Sequence, residues 1–184
     1  LKDKTVVVQG VGSVGYHLVK LLVEDGAKVF ISDIKKDKLD RVSSEFPVKI
    51  VPVAEIFNDA YDIFAPCALG AVVNDETISK LKFKIICGSA NNVLKEEYHG
   101  VELEKAGILY APDYVVNAGG VINVYQEMLG YDPEEAKRKV GRIYNKVLDI
   151  FKIAKEKQIT PAQAANHLAE ERIRVIRNVR GNYI

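Results

Sequence analysis

The sequence predicts an α/β fold, with a doubly wound parallel sheet followed by a C-terminal helical extension. Residues 5–15 have the pattern of a buried strand, a glycine-rich turn and the start of a helix. Short apolar strands then alternate with helical segments to about residue 125, and such alternation gives a parallel sheet with right-handed crossovers. From about residue 126 the pattern is helical alone. We therefore expect a single domain, with the sheet core at 1–125 and the helical extension at 126–184.

The first strand and the turn after it give the clearest local signal. Residues 6–8 are all valine, which suits a strand buried on both faces. Gly10, Gly12 and Gly15 follow in the spacing G-x-G-x-x-G, and an apolar helix continues over 16–23. In this context the first glycine allows a tight turn, the second lets a pyrophosphate approach the backbone, and the third lets helix and strand pack closely. We interpret the stretch as a dinucleotide site; the alternative is a structural glycine turn in another βα unit.

An acidic residue stands where a dinucleotide site needs one. The second predicted strand covers residues 28–33 and ends on Asp33, whose carboxylate can accept hydrogen bonds from both hydroxyls of an adenine ribose. A 2′-phosphate would meet that charge, so the sequence favours NAD over NADP as cofactor. Lys35 and Lys36 could hold such a phosphate, which leaves NADP open. The alternative role for Asp33 is that of a plain helix N-cap.

The rest of the sheet region alternates in the same way. Strands are predicted over 48–51, 61–65, 83–87 and 107–111, and helices over 36–45, 53–58, 75–81 and 102–106, with Asp75 as the cap of the third helix. Small, amide-rich segments follow the later strands, at residues 66–70, 88–92 and 112–120. Because ligands bind outside the carboxyl ends of the strands in such sheets, these segments and the glycine turn are expected to line one site.

The C-terminal region contains two predicted helix starts. Asp132 and Pro133 place a proline at the first helical position, with acidic residues in the first turn, and this helix is expected to run to about residue 157. Thr160 and Pro161 start another helix. Both helices carry apolar residues at helical spacing, most of which we expect to pack in the core.

The bulk composition is that of an ordinary soluble protein. Hydrophobic residues make up 48% and charged residues 28%, and the net charge is +1, so neither a nucleic acid nor a membrane is expected as partner. No apolar run is long enough to cross a membrane, and no spacing predicts a metal site. Cys67 and Cys87 are expected to be buried free thiols in a reducing compartment, the cytoplasm, although a disulfide stays open.

Three segments resemble a known family. Residues 62–70 (DIFAPCALG), 88–92 (GSANN) and 110–124 (YAPDYVVNAGGVINV) are similar to the C-terminal, cofactor-binding domain of the glutamate/leucine/phenylalanine/valine dehydrogenases, and most of all to the leucine branch. The likeness covers nearly the whole chain. It implies NAD as cofactor and the reversible oxidative deamination of an amino acid to a 2-oxo acid and ammonia. It also implies that the whole enzyme is a homo-oligomer.

The resemblance implies cofactor-binding roles residue by residue. The pyrophosphate would be held by Gly10, Val11, Gly12, Ser13, Val14, Gly15 and Tyr16, and the adenine ribose by Asp33 and Ile34. The adenine side would be lined by Cys67, Ala68 and Leu69. The nicotinamide ribose would contact Ala90, Asn91 and Asn92, and the nicotinamide amide would contact Asn117. Leucine-branch members often have Ala at the position of Gly15, and both residues are small enough for close packing.

The resemblance also implies a substrate pocket. It places Asn92 near the amino group of the substrate, and Val121 and Val124 against the substrate side chain. These valines are three residues apart at the start of a predicted helix, so they share a face. An apolar wall there would favour leucine, valine or isoleucine over glutamate, whose carboxylate would be buried without a partner. The alternative is that both valines belong to the core.

No residue of this chain is assigned as catalytic. The catalytic residues of the family belong to a preceding substrate domain with a glycine-rich segment and lysines, and no such segment occurs here. His17, His99 and His167 are explained as helix-surface or turn residues. The first residue is not Met, and we expect a piece of a longer enzyme that lacks its substrate domain and binds NAD without turnover.

Three alternatives stay open at this point. The chain could be the cofactor domain of a glutamate or phenylalanine dehydrogenase, a non-catalytic nucleotide-sensing Rossmann domain, or a Rossmann-like scaffold that has lost binding. The ratio of kcat/KM for glutamate and leucine separates the first from a leucine-type enzyme. The sequence upstream of Leu1 identifies the second, and a titration with NAD identifies the third.

Overall fold

A computed structural model describes the backbone of residues 1–181 and the side chains of residues 1–177. The last three residues of the predicted helical extension, 182–184, lie outside the described part. The chain divides into two compact units, residues 1–117 and residues 118–184, which we call unit 1 and unit 2. That the chain forms a single NAD-binding domain stays a prediction.

Unit 1 is built on a parallel sheet of six strands. Their spatial order is β3-β2-β1-β4-β5-β6, so the strand order reverses between β1 and β4. This is the strand order of a doubly wound sheet, and the predicted fold class is confirmed. The strands are β1 (Thr5–Gln9), β2 (Lys28–Ser32), β3 (Lys49–Ile50), β4 (Ile63–Pro66), β5 (Ile85–Ile86) and β6 (Leu109–Tyr110).

Strand β1 is the centre of the sheet and of its core. Val6, Val7 and Val8 are buried because strands flank β1 on both sides, with Val7 in register with Phe30 of β2 and Phe64 of β4. An all-apolar run suits a strand covered on both faces. One buried cluster joins β1 to its neighbours and to the helices that follow β1 and β2, through Val6, Val8, Val19, Leu22, Ile31, Val42 and Ala65.

Four helices complete unit 1. They are α1 (Ser13–Glu24), α2 (Lys36–Glu45), α3 (Tyr98–Lys105) and α4 (Asp113–Val116). The predicted short helices over 53–58 and 75–81 are reduced to single 3-10 turns at Val53–Glu55 and Ile78–Lys80. Helix α3 begins at Tyr98, four residues earlier than its apolar pattern indicates. The first two βα units therefore follow the predicted boundaries more closely than the later ones.

The expectation that Asp75 caps a helix was wrong. The N-cap of the 3-10 turn at Ile78–Lys80 is Thr77, without a side-chain cap bond. The Asn74 carboxamide closes the turn before it, because its Oδ1 accepts from the Glu76 N–H at 2.9 Å and the Thr77 N–H at 3.1 Å. The Asp75 carboxylate points elsewhere and accepts a hydrogen bond from the Tyr98 hydroxyl. Asparagine and aspartate offer the same acceptor geometry at adjacent positions, so the sequence pattern did not separate them.

His99 does not lie on a helix surface as expected. Its imidazole is fully buried, with Nδ1 3.1 Å from the Glu96 backbone nitrogen and Nε2 3.3 Å from the Asp75 carboxylate. A buried polar ring needs such partners. The ring therefore ties the start of α3 to the segment after β4. His17 is exposed and His167 is half-buried on a helix, in line with their ordinary explanation.

Unit 2 consists of helices, and both predicted helix starts are confirmed. The Asp132 carboxylate accepts from the N–H groups of Glu134 and Glu135, with Pro133 at the first helical position. Thr160 and Gln163 form a reciprocal capping box. None of the described helices combines the length and apolar character needed to cross a membrane. The helices are α5 (Gly119–Met128), α6 (Pro133–Lys157) and α7 (Pro161–Gly181).

The two cysteines are free thiols, as expected. Both are half-buried rather than fully buried, at the carboxyl ends of β4 and β5. Burial raises the pKa of the Cys87 thiol, and the nearby Cys67 raises it further. The protonated thiol is therefore favoured, which makes Cys87 a poor nucleophile at neutral pH.

Asp62 links three strands of the sheet at their amino ends. Its carboxylate accepts from the Thr5 N–H and hydroxyl, both at 3.0 Å, and from the Lys84 ammonium at 2.7 Å. The Asp62 N–H donates to the Thr5 hydroxyl at 2.9 Å. These hydrogen bonds hold the pKa of Asp62 well below its usual range, and the one from Lys84 contributes most. The interaction therefore stabilises the ionised form and joins the starts of β1, β4 and β5.

We expect Asp62→Asn to lower the stability of the fold at neutral pH. Because the folded-state pKa of Asp62 is depressed, the carboxylate stabilises the fold above about pH 4, and this contribution is lost as the pH falls towards the folded-state pKa. In urea denaturation the variant should unfold earlier than the wild type at pH 7, with a difference that narrows below about pH 4. Asp40→Asn, at an exposed position on α2, serves as control. A loss of stability that is the same at every pH would contradict the stabilising role of the ionised Asp62 carboxylate.

Candidate functional site

Gly10 makes the sharp turn that leads the chain out of β1. Its φ of +93° lies in the left-handed region, and a Cβ there would lie 2.8 Å from the Ala68 Cβ. Its N–H donates to the Ser32 carbonyl at 2.7 Å, which fixes the turn against the end of β2. Both the backbone conformation and the space therefore require glycine at this position.

Gly15 allows α1 to lie directly on the turn. A Cβ at Gly15 would lie 2.0 Å from the Gly10 carbonyl oxygen, a distance that no side chain tolerates. The third glycine of the motif thus has the close-packing role that its position predicts. The expectation that Ala fits equally well at Gly15 was wrong for this backbone, because the clash is with backbone and not with a movable side chain.

Gly12 differs from the other two because its surroundings are open. Its φ is −67°, and apart from its chain neighbours the one heavy atom of the described residues within 4 Å of a Cβ built there is the Lys38 Nζ, at 3.8 Å. Gly12 is the N-cap of α1, and the first turn of that helix has no acidic residue. No acceptor among the described residues reaches the backbone N–H of Ser13 or Val14. Free N–H groups and the positive end of a helix dipole are suited to an anion.

Asp33 connects the end of β2 to the glycine turn. Its carboxylate accepts from the Val11 N–H and from the Lys35 N–H, both at 2.9 Å. It is not a helix N-cap, because the N-cap of α2 is Lys35. Each carboxylate oxygen keeps further acceptor capacity, so the group can still bind hydroxyls of a ligand. The bond to Val11, which no sequence pattern indicated, makes Asp33 part of the turn itself.

A cleft of about 350 Å³ opens at the carboxyl ends of β1, β2 and β4, where the strand order reverses. We call it the switch-point cleft. It brings together four residues predicted for the adenine and ribose part of a cofactor, namely Asp33, Ile34, Ala68 and Leu69, and it is also lined by Gly10, which was predicted for the pyrophosphate. Ile34 and Leu69 are each 85% exposed, so their apolar side chains are available to a flat ring. Sequence reasoning missed Asn74 and Thr77, which also line this cleft.

A second cleft of about 350 Å³ lies between α1 and α2, and we call it the α1–α2 cleft. Its lining includes Val11, Gly12, Ser13 and Tyr16, all predicted for the pyrophosphate. Lys38 and Arg41 of α2 line it as well, and sequence reasoning missed both. Their only sequence signal is their position within the first turns of the helix that follows Asp33.

Several predicted cofactor residues line neither cleft, namely Val14, Gly15, Cys67, Ala90, Asn91, Asn92 and Asn117. The Val14 side chain is largely exposed on α1. Cys67 lies beneath the glycine turn, where its N–H donates to the Gln9 carbonyl at 2.7 Å. Its Cβ is 3.5 Å from the position of a Cβ on Gly15. In the structure Cys67 therefore packs against the turn, and its predicted role on the adenine side stays a prediction.

The segments after β4 and β5 interlock through their backbones. The Ala71 N–H donates to the Asn92 carbonyl at 2.6 Å, and a Cβ on Gly70 would lie 2.3 Å from the Asn91 carbonyl oxygen. Gly88 is equally constrained, since a Cβ there would lie 2.2 Å from the Pro66 carbonyl oxygen. Asn92 has φ +52°, a conformation that asparagine adopts more readily than most residues. The exposed Asn91 and Asn92 are thus held on a rigid support.

The residues predicted for the nicotinamide end lie close to one another. The Asn117 carboxamide donates to the Asn91 side chain and approaches the Ala90 carbonyl at 3.5 Å. Behind them the buried Asp113 accepts from the Val93 N–H at 2.6 Å. The carboxylate of Asp113 therefore fixes the segment that carries the asparagines.

Val121 and Val124 lie on α5 in unit 2. They are 75% and 59% exposed, so the alternative that both are core residues does not hold for this chain. Residues three apart on a helix share a face. The two side chains thus form a small apolar surface on the first turns of α5. Their contact with a substrate stays a prediction.

The parallel sheet, the glycine turn after β1 and the acid after β2 together define a Rossmann-type α/β unit. Residues 30–181 match the sequence profile of the family described as Glutamate/Leucine/Phenylalanine/Valine dehydrogenase. The chain therefore belongs to this family of amino-acid dehydrogenases.

Individual relatives cover the whole chain at high identity. Leucine dehydrogenase of Thermoactinomyces intermedius is 53% identical over 184 residues, which is 100% of this chain and 50% of that protein. Phenylalanine dehydrogenase of Bacillus thermotolerans is 45% identical, over 95% of this chain and 47% of that protein. The crystal structure of L-tryptophan dehydrogenase from Nostoc punctiforme matches with a TM-score of 0.92 and 48% identity, over 95% of this chain and 53% of that one. The chain thus spans about half the length of the curated relatives it matches.

We expect alanine to lower the stability of the fold at the third glycine of the motif but not at the second. Gly15→Ala forces α1 away from the Gly10 carbonyl and should lower the free energy of unfolding by about 2 kcal/mol. Gly12→Ala places its Cβ in open space at an ordinary φ, so stability should stay within about 0.5 kcal/mol of the wild type. Urea denaturation of both variants measures the difference. Equal stability of the Gly15→Ala variant and the wild type would show that α1 moves freely on β1.

Proposed function

We propose that the chain is the NAD-binding part of an amino-acid dehydrogenase that reversibly deaminates branched-chain L-amino acids to 2-oxo acids and ammonia. One observation carries the proposal. The uncapped start of α1 and the Asp33 carboxylate lie side by side at the point where the strand order reverses. An anion site next to a hydroxyl acceptor suits the diphosphate and ribose of an adenine dinucleotide.

The shape of the glycine turn also suits a dinucleotide. A side chain at Gly12 would fill the space in front of the free N–H groups of α1, and apart from the chain neighbours of Gly12 no described backbone atom lies within 4 Å of the Cβ position. The switch-point cleft next to it offers the apolar side chains of Ile34 and Leu69 to an adenine ring. The residues present therefore fit the group.

We favour NAD over NADP because of Asp33. Two N–H groups already orient its carboxylate, and its free lone pairs can accept from the 2′- and 3′-hydroxyls of the ribose. A 2′-phosphate would place like charges next to each other at that point. Lys35 and Lys36 are exposed on the same segment and would reduce this repulsion only in part.

In this proposal the residues of the chain position rather than catalyse. When bound, NAD supplies the hydride acceptor of the reaction. Asn117 and Asn91 would orient the nicotinamide end through their carboxamides, while Asn92 would contact the substrate amino group. The backbone contacts of Gly70, and the hydrogen bond that the Asp113 carboxylate accepts from the Val93 N–H, would keep the asparagine side chains in place. The acid–base groups would come from residues outside this chain, and the whole enzyme would be a homo-oligomer.

The preference for a branched-chain substrate rests on Val121 and Val124. An apolar wall would accept leucine, valine or isoleucine and would leave a glutamate carboxylate without a partner. The similarity to phenylalanine and tryptophan dehydrogenases supports a second candidate, an aromatic amino acid. Both candidates are apolar, so the comparison of kcat/KM for leucine and phenylalanine in the whole enzyme decides between them.

The chain alone should bind NAD, and Asp33→Ala should weaken that binding about tenfold or more, because hydrogen bonds to a carboxylate are lost. Isothermal titration measures both values, with Asp40→Asn as a control that changes an acid of α2 outside both clefts. The affinity for NADP, relative to that for NAD, should be higher in the Asp33→Ala variant than in the wild type. Wild-type chain that does not bind NAD would contradict the proposal, and steady NADH production from leucine by the chain alone would contradict the placement of the chemistry.

Val121→Thr should lower kcat/KM for leucine in the whole enzyme by about tenfold, because the isosteric hydroxyl would be desolvated against an apolar side chain without a partner. The matched control is Val175→Thr on the exposed surface of α7, which should leave kcat/KM unchanged. The initial rates at subsaturating leucine measure both. An equal effect of the two substitutions would remove Val121 from the substrate pocket.

A further inference from the structure

Lys38 occupies a position that neither the glycine motif nor the family resemblance assigns. It lies in the first turn of α2 with a half-buried side chain, and it lines the α1–α2 cleft together with Gly12 and Ser13. Its Nζ lies 3.8 Å from the position of a Cβ on Gly12, and apart from the chain neighbours of Gly12 no other heavy atom of the described residues lies within 4 Å of that position. The ammonium group thus lies beside the open space in front of the second glycine.

The space in front of the second glycine has a defined use in such a site. Glycine is needed there because the pyrophosphate of the dinucleotide approaches the backbone at that point. The free N–H groups at the start of α1 face the same space. An ammonium group beside that space is within reach of the same phosphate oxygens, since a lysine stem rotates over several ångströms.

Lys38 faces the N-terminal end of α1, where a cation is unfavourable and where the first turn has no acidic residue. The acidic residue next to it in the first turn of α2 is Asp37, which does not line the α1–α2 cleft. No ion pair involves Lys38 within the described side chains. Its neighbour Arg41 is compensated, because its Nε lies 3.2 Å from Glu45 and its guanidinium stacks on Tyr16. An anion between Lys38 and α1 would relieve this repulsion.

We propose that the Lys38 ammonium binds the diphosphate of the dinucleotide, together with the backbone N–H groups of α1. The inference rests on the proposed function and names a further residue of the same site. Lys38 lines the α1–α2 cleft and not the switch-point cleft that holds Asp33. This separation favours the diphosphate over a 2′-phosphate, which would lie next to Asp33.

The test is isothermal titration of the chain with three probes that differ in their phosphates. ADP-ribose carries the diphosphate, adenosine carries no phosphate, and 2′-phospho-ADP-ribose carries an additional one. Lys38→Gln should weaken ADP-ribose binding at least about fivefold and leave adenosine binding unchanged. Lys20→Gln removes the same charge from an exposed position on α1 and should change neither value. The loss of ADP-ribose affinity in Lys38→Gln should become smaller as the KCl concentration rises from about 50 to 500 mM, because salt screens the interaction between the ammonium group and the diphosphate.

The outcomes separate this inference from the proposed function. Wild-type chain that binds none of the probes contradicts the dinucleotide site itself. Wild-type binding of ADP-ribose with an unchanged affinity in Lys38→Gln overturns the role of Lys38 and leaves the site intact. If Lys38→Gln weakens the binding of adenosine and ADP-ribose equally, Lys38 supports the fold of α2. If it weakens the binding of 2′-phospho-ADP-ribose alone, Lys38 binds the 2′-phosphate. Each of these results overturns the diphosphate assignment.

Discussion

The close approach of α1 to β1 is the constraint on which the candidate site depends. The Gly10 carbonyl occupies the place of a Gly15 side chain, so helix and turn are in direct backbone contact. This contact aims the free N–H groups of α1 at the open face of Gly12. The valines of β1 hold the turn in place because they are buried at the centre of the sheet. The core therefore determines the direction in which the free N–H groups of α1 point.

Asp33 couples this turn to the neighbouring strand. A carboxylate that only bound a ribose could vary without effect on the fold, but Asp33 holds the Val11 N–H in the structure itself. The residue proposed to bind the ribose therefore also supports the local structure. The same arrangement recurs at the other end of the site, where the buried Asp113 holds Val93 behind the exposed asparagines. In both places an acid positions backbone that faces the ligand region.

The sequence predicted the fold class and the first βα units well, because their signals are local. Three valines, a glycine spacing and a terminal acid specify β1, its turn and Asp33 without reference to distant residues. Strands β3, β5 and β6 have only two residues each and follow mixed patterns, so their boundaries were less accurate. The place of Lys38 in the α1–α2 cleft and the burial of His99 were not predicted, because they depend on which way α2 and α3 face, and rotation of a helix about its axis is set by packing.

The interlocked segments after β4 and β5 limit how this scaffold diversifies. Because a side chain at Gly70 would meet the carbonyl groups of Asn91 and Asn92, and one at Gly88 would meet that of Pro66, neither glycine can be replaced unless the backbone opposite moves as well. Substitution at these two glycines is thus a costly route to new specificities in this part of the molecule. Exchange of single side chains on a helix surface, such as the first turns of α5, stays an open route.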